Sequence, residues 1–243
     1  MDPEKDPEEY GDYWGFVAIL PRSGFVPVLH NGKHTKKEAR KFVQKIKKCS
    51  DGKAPLYLSD ALVSYEDIIT EAYSESHEYP KTGKRGRPRK PKRIIDPDLL
   101  YAQIVKKQKN GKLETIEKRV VVGTEKKVLQ RIQQDGRGST INTSFVENRN
   151  GGYRRENKRL CRKTQCHSKK RKFHDAQTTL STAFHNFIKP NQSLRKKIND
   201  TNKKFVKKYD QKTPAMMEGL TDHIWSLEKL LGMRIPKNSV IVD

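Results

Sequence analysis

Along the first 73 residues, short apolar runs alternate with turn sequences and with stretches of helical spacing. Tyr13 to Leu20 is an apolar run closed by the turn sequence Pro21-Arg22-Ser23-Gly24. Gly24 to Leu29 follows as a second short strand, in which Pro27 argues for an edge position or a bulge. Two such runs about a Gly/Pro turn predict a hairpin. Thr35 then stands as an N-cap before Lys36 to Lys48, where Ala39, Phe42, Val43 and Ile46 recur at helical spacing. Beyond the breaker Ser50-Asp51-Gly52, Ala54 to Ser59 reads as a third strand ending at Asp60. Residues 61–73 read as a helix with Leu62, Tyr65, Ile68 and Ile69 on one side. This β-β-α-β-α order predicts an α/β fold with a mixed sheet.

From Ser74 to Asp98 the periodicity stops. Within it, Lys81 to Arg93 holds eight Lys/Arg in thirteen residues with two prolines, which predicts an extended, solvated, disordered insertion. Leu99 to Lys107 and Ile116 to Gly123 predict two strands about Asn110-Gly111, a dipeptide suited to the positive φ angles of a tight hairpin turn. Thr124 to Gln133 reads as a short helix and Gln134 to Ser139 as a loop. Residues 142–165 form a basic helical stretch, in which Gly151-Gly152 costs about 1 kcal/mol of propensity per glycine. Lys172 to Ile188 carries Phe173, Ala176, Leu180, Ala183, Phe184 and Phe187 at helical spacing, an amphipathic helix stopped by Pro190.

Composition changes the picture in two ways. Only 33% of the 243 residues are apolar, against roughly 45–50% for an ordinary globular domain, so a modest core with basic extensions is expected. The net charge is +23 and unevenly placed. Residues 1–80 hold 11 Lys/Arg against 14 Asp/Glu, whereas residues 81–243 hold 41 against 15, a surplus of +26. That asymmetry is the electrostatic footprint of a nucleic-acid binder, although ribosomal proteins and tails that bind acidic surfaces share it. No apolar run reaches the ~18 residues of a membrane span, and MDPEKDPEEY has none of the features of a signal peptide. Three cysteines cannot close a disulfide framework, which points to a reducing compartment.

Three constellations carry candidate chemistry. In Lys84-Arg85-Gly86-Arg87-Pro88-Arg89-Lys90, the core Arg-Gly-Arg-Pro resembles the AT-hook of chromatin-associated proteins. A narrow minor groove has an enhanced negative potential that attracts arginines, and Gly86 lets the backbone approach its floor. The plain alternative is a flexible basic linker. The second constellation is a pair of carboxylates, Asp60 at a strand end and Glu147 in a helix. Side by side they can hold Mg²⁺, which takes few carboxylates plus water and substrate phosphate. The alternative is that Asp60 caps the next helix and Glu147 pairs with a nearby Arg. The third, Cys161-x4-Cys166-His167 with His174 downstream, lacks the paired spacing of a zinc site.

Several motifs, in order along nearly the whole chain, resemble DDE-type insertion-sequence transposases of the RNase H-like superfamily. Asn142 to Gly151 (NTSFVENRNG) is similar to the helix carrying the family's last catalytic acid. Cys161-Arg162-Lys163-Thr164, His185 to Arg195 (HNFIKPNQSLR) and Thr213 to His223 (TPAMMEGLTDH) are similar to its closing helix and C-terminal end. Gly11 to Trp14 with Val17 to Ile19 resemble the second strand of the core, and Leu58-Ser59-Asp60 the strand bearing the second acid. The resemblance implies an RNase H-like mixed sheet with flanking helices. It makes Asp60 and Glu147 catalytic residues and ligands of Mg²⁺ or Mn²⁺, which would activate water and then a 3′-hydroxyl for attack on phosphorus. Two departures stand out. The family places Arg directly after the Glu, whereas here Asn148 intervenes before Arg149. The first acid belongs on a strand just before residues 10–20, where only MDPEKDPEEY stands, so the core is expected to be incomplete at its N-terminus.

The expected organisation is residues 10–73 as the first part of the core, 74–98 as the basic insertion, 99–195 as the remainder and 196–243 as a basic tail. Arg85, Gly86, Arg87, Pro88 and Arg89, with Arg154, Arg155, Lys158 and Arg159, are the expected DNA contacts. The expected partners are duplex DNA as element ends and target, together with a second copy of the chain, and no membrane. The expected location is prokaryotic cytoplasm, at the nucleoid. The alternative from another class is a non-catalytic DNA-binding remnant or regulator of an insertion element.

Overall fold

In the computed structural model, the residues described are 13–51, 53–77, 79, 91–136, 138–161, 163–198 and 209–233. β1 (Tyr13–Ala18) pairs antiparallel with β2 (Val28–Lys33), with Ala18 opposite Val28 and Tyr13 opposite Lys33. Pairing starts just after Pro27, whose nitrogen has no hydrogen to give a ladder. The second strand therefore lies further along than the apolar run Gly24 to Leu29 predicts. Helix α1 (Lys36–Cys49) begins where the Thr35 side chain accepts from the Glu38 amide, and it buries Ala39, Phe42 and Val43. β3 (Leu56–Asp60) and α2 (Val63–Ala72) follow where the pattern expects them.

The 74–98 stretch is more structured than its sequence suggests. β4 (Ser74–His77) and β5 (Lys92–Ile95) pair antiparallel, and all four residues of β5 are exposed. A ladder made of backbone groups on a fully exposed strand leaves no apolar alternation to read. The five AT-hook-like residues Arg85, Gly86, Arg87, Pro88 and Arg89 lie outside the described residues.

β6 (Leu100–Lys109) and β7 (Lys112–Val122) form the expected hairpin, with Asn110 at φ 51° and Gly111 at φ 74°. Both angles are positive, as a type I′ turn requires. Thr124 caps α3 (Glu125–Gln134). α4 (Ser144–Glu156) is shorter than the basic stretch 142–165. It stops because the buried Asn157 accepts from the Arg159 amide and opens a single 3-10 turn over Lys158–Leu160. α5 (Arg171–Phe187) follows, then β8 (Lys196–Lys197), β9 (Tyr209–Asp210), α6 (Pro214–Met217) and α7 (Leu227–Gly232). The described parts of the expected tail thus include a two-stranded ladder and two short helices.

The chain divides into two compact units, Met1–Ala18 with Pro27–Glu147, and Ile19–Val26 with Asn148–Asp243. The first is mixed α/β. Its largest sheet has the order β3-β6-β7, with β3 parallel and β7 antiparallel to β6. Because side chains alternate across a strand, each face has its own core. Tyr57, Tyr101 and Val121 join Phe16, Val28, Phe42, Val43, Ile68 and Ile69 in one cluster. Leu56, Leu58, Ala102, Ile104 and Val120 join Val128, Ile132 and Ile141 in the other.

In the second unit, α5 does not bury the apolar stripe its sequence displays. Its buried residues are Thr178, Thr182 and Asn186, whereas Phe173, Leu180 and Phe184 are exposed. Polar groups can line that face because each finds a partner. Thr178 and Thr182 donate to the carbonyls of His174 and Thr178. The Asn186 amide pairs with both backbone groups of Val26, at 3.0 and 2.9 Å. Among the described residues no helix is long and apolar enough to cross a membrane.

Candidate functional site

The sequence singles out Asp60 and Glu147, and both belong to the first unit. Asp60 ends β3 and is exposed. Its register partner on β6 is Ile104, so Asp60 shares the sheet face of Leu58, Ala102 and Ile104. Lys106 lies two residues beyond Ile104 on the same strand and so on the same face. Glu147 reaches this face from the first turn of α4, where a negative charge is favoured by the helix dipole. Its Oε1 accepts from the Lys106 ammonium and, at 2.7 Å, from the hydroxyl of the buried Thr143. These two hydrogen bonds, from Lys106 first and Thr143 second, hold the Glu147 carboxyl below the usual carboxylate range. Glu147 is therefore ionised at neutral pH, and its side chain remains half exposed.

Asp60 on this face and Glu147, held to it through Lys106, are the donor type Mg²⁺ takes, since that ion needs only one or two carboxylates beside water and phosphate oxygens. Among the described residues no three His, Cys, Asp or Glu side chains converge as a metal cluster. Lys106 meanwhile provides Glu147 with a cation from the chain itself. The sequence by itself offers Glu147 only a metal or a nearby Arg as partner. The lysine comes from a strand 41 residues upstream, and no local spacing connects the two.

The basic candidates Arg154, Arg155, Lys158 and Arg159 belong to the second unit, and all four are exposed. They do not share one helix, as the expected stretch 142–165 implied. Arg154 and Arg155 sit in the last turn of α4, and Lys158 and Arg159 in the 3-10 turn after it. Arg159 Nη1 donates to Ser168 Oγ at 3.0 Å, which fixes its guanidinium.

Arg149, two residues after the carboxylate, is turned inward and only 7% exposed. Its Nη2 donates to Glu156 at 2.6 Å, its Nη1 to His185 Nδ1 at 2.7 Å, and its Cζ lies 4.1 Å from the Tyr153 ring centroid. The other Glu156 oxygen accepts from Lys189 at 2.6 Å. Burial alone would raise the Glu156 carboxyl, but the hydrogen bonds from Lys189 and Arg149 outweigh it and lower it. Glu156 is thus an ionised, doubly compensated counter-ion beneath an otherwise cationic segment. Compared with known proteins, the chain matches no family model, no curated protein and no solved structure.

Proposed function

We propose that the chain acts on duplex DNA as a DDE-type insertion-sequence transposase, its first unit an RNase H-like core. The observation that supports this reading is that Asp60 at a strand exit shares one face of the β3-β6-β7 sheet with Lys106, which holds Glu147 from a helix start. Asp60 and Glu147 would hold Mg²⁺ or Mn²⁺, which when bound polarises a phosphoryl oxygen and activates a water or a 3′-hydroxyl. Lys106, freed from Glu147, is available to a phosphate oxygen of the substrate. Arg154, Arg155, Lys158 and Arg159 of the second unit, with Arg85, Arg87 and Arg89, bind the backbone electrostatically. The surplus of +26 over residues 81–243 supports a polyanionic partner.

A non-catalytic DNA-binding role is the second reading. It is favoured by the Lys106 ion pair, which satisfies Glu147 without any metal. Nicking of supercoiled plasmid by the full chain in Mg²⁺ or Mn²⁺ separates the two. The transposase reading expects metal-dependent nicking that Asp60→Asn or Glu147→Gln lowers at least a hundredfold, with DNA binding retained in both variants. DNA binding without nicking in either metal establishes the second reading instead.

A further inference from the structure

The second unit contains a cavity of about 400 Å³ lined by Glu156, Asn157, Lys158, Arg159, Cys166, His167 and Gln177. Its size is at the small end of ligand pockets, and its lining is almost wholly polar. Three features give it a ligand preference. Asn157 is 96% buried, its Oδ1 is used by the Arg159 amide, and its Nδ2 donor has no partner. A buried donor left unmade costs about 1–3 kcal/mol, so an acceptor brought to it is strongly favoured. Lys158 and Arg159 have no carboxylate partner among the described residues, and Arg159 is held in place by Ser168. The one acid in the lining, Glu156, has both oxygens taken by Arg149 and Lys189, so it does not repel an anion.

We propose that this pocket binds a backbone phosphodiester of duplex DNA. The chemistry is that of phosphate: a guanidinium, a lysine point charge and a neutral amide donor belong to the lining of one pocket, a donor set suited to a compact, multi-oxygen anion. It rests on the DNA-binding reading above and adds where in the second unit one phosphate is held. It also separates the basic candidates by role. Lys158 and Arg159 grip from within a formed pocket, while Arg154 and Arg155 contribute to the general field.

Two substitutions test it, and the thermal unfolding of each is checked first, because Asn157→Asp puts a charge at a buried position. Asn157→Asp keeps the acceptor that caps the 3-10 turn and replaces the unpartnered donor with a charged oxygen. Arg159→Gln removes one exposed charge. Lys126→Gln on α3, exposed in the first unit, removes the same charge elsewhere. Binding of a labelled duplex to the full chain is followed by anisotropy across a salt series. Alkylation of Cys166, an exposed thiol in the pocket lining, is mapped against Cys49, an exposed thiol in the first unit. Duplex DNA should shield Cys166 but not Cys49. Asn157→Asp and Arg159→Gln should each weaken DNA binding about tenfold and abolish the shielding. Arg159→Gln should also lower the salt slope by about one, and Lys126→Gln should leave the shielding intact.

The control arm adds inorganic phosphate in place of DNA at equal ionic strength. Shielding by inorganic phosphate without shielding by DNA makes the pocket a free-phosphate site and overturns the proposal. So does a wild-type chain that binds DNA while both pocket variants bind equally well and Cys166 reacts unchanged. That second result leaves the DNA-binding reading standing. A wild-type chain that binds no DNA sinks that reading, and the pocket assignment with it.

Discussion

His185 is held in one protonation state by its two neighbours. Its Nε2 faces the Gly24 carbonyl at 2.9 Å and its Nδ1 faces Arg149 Nη1 at 2.7 Å. Arg149 can only donate and Gly24 O can only accept, so the ring is neutral with its proton on Nε2. Burial first, and the Arg149 charge second, hold its pKa below the ordinary value of 6.5. The unfolded chain therefore binds a proton that the folded chain refuses. Stability is complete above about pH 6.5 and falls as pH drops below it. Glu156, lowered in the folded state, adds a further loss as pH falls below about 4.5. Urea unfolding followed by Trp225 fluorescence, in a Trp14→Phe background, should show a lower midpoint at pH 5.5 than at pH 7.5. His185→Gln keeps an acceptor and a donor but cannot titrate, so it should shrink that difference to the share of His174, whose pKa burial also lowers. A variant that loses as much stability as the parent between the two pH values rules out His185 as the titrating group.

At the scale of elements, α4 shows why two adjacent glycines are not equivalent. A Cβ at Gly152 would lie 3.1 Å from Arg149 Cζ, and that guanidinium is fixed by Glu156, His185 and the Tyr153 ring. A Cβ at Gly151 would meet only the Arg155 Nη1 at 3.4 Å, the far end of an exposed side chain. Gly151→Ala should therefore stabilise the chain by about 1 kcal/mol through helix propensity. Gly152→Ala should destabilise it, because Arg149 must give by a few tenths of an ångström against the partners that hold it. Denaturant midpoints of the two variants check the opposite signs, and equal shifts would show that Arg149 is free to move. The glycines look alike in the sequence because the contact that separates them is made by a folded-back arginine.

The same distinction governs what was legible elsewhere. Thr35, Thr124 and the Asn110-Gly111 turn act within a few residues of themselves, and the sequence announces them. The buried stripe Thr178, Thr182 and Asn186 was hidden, because hydrogen bonds rather than hydrophobicity admit it to the interior. Asp60 and Glu147 could be picked out by type and setting. The Lys106 partner of Glu147 and the pocket around Asn157 depend on long-range packing and left no local signal.

For the whole molecule, charge asymmetry is the ground of the proposed DNA binding. The surplus of +26 lies downstream of residue 80, and the exposed Arg154, Arg155, Lys158 and Arg159 belong to that part of the chain. Binding that depends on several such contacts releases counterions. Affinity for duplex DNA should fall on the order of a hundredfold between 50 and 200 mM salt. A flat response measured by anisotropy across that range would show that the basic segments do not form the interface.

The position of β3 in its sheet has a consequence for handling the protein. In the order β3-β6-β7 it pairs on one side only, and no other strand among the described residues takes its outer edge. Leu56-Tyr57-Leu58-Ser59 is apolar or neutral, and Asp60 is the single charge on the strand. An edge of that composition is a template on which a second chain can add, a route to aggregation. Asp60 then has a gatekeeper's duty besides any chemistry. Replacing it with Asn removes the charge that discourages edge-to-edge stacking, so Asp60→Asn protein should precipitate at lower concentration than its parent. Asp60→Glu, which alters carboxylate reach but keeps the charge, separates lost chemistry from lost solubility.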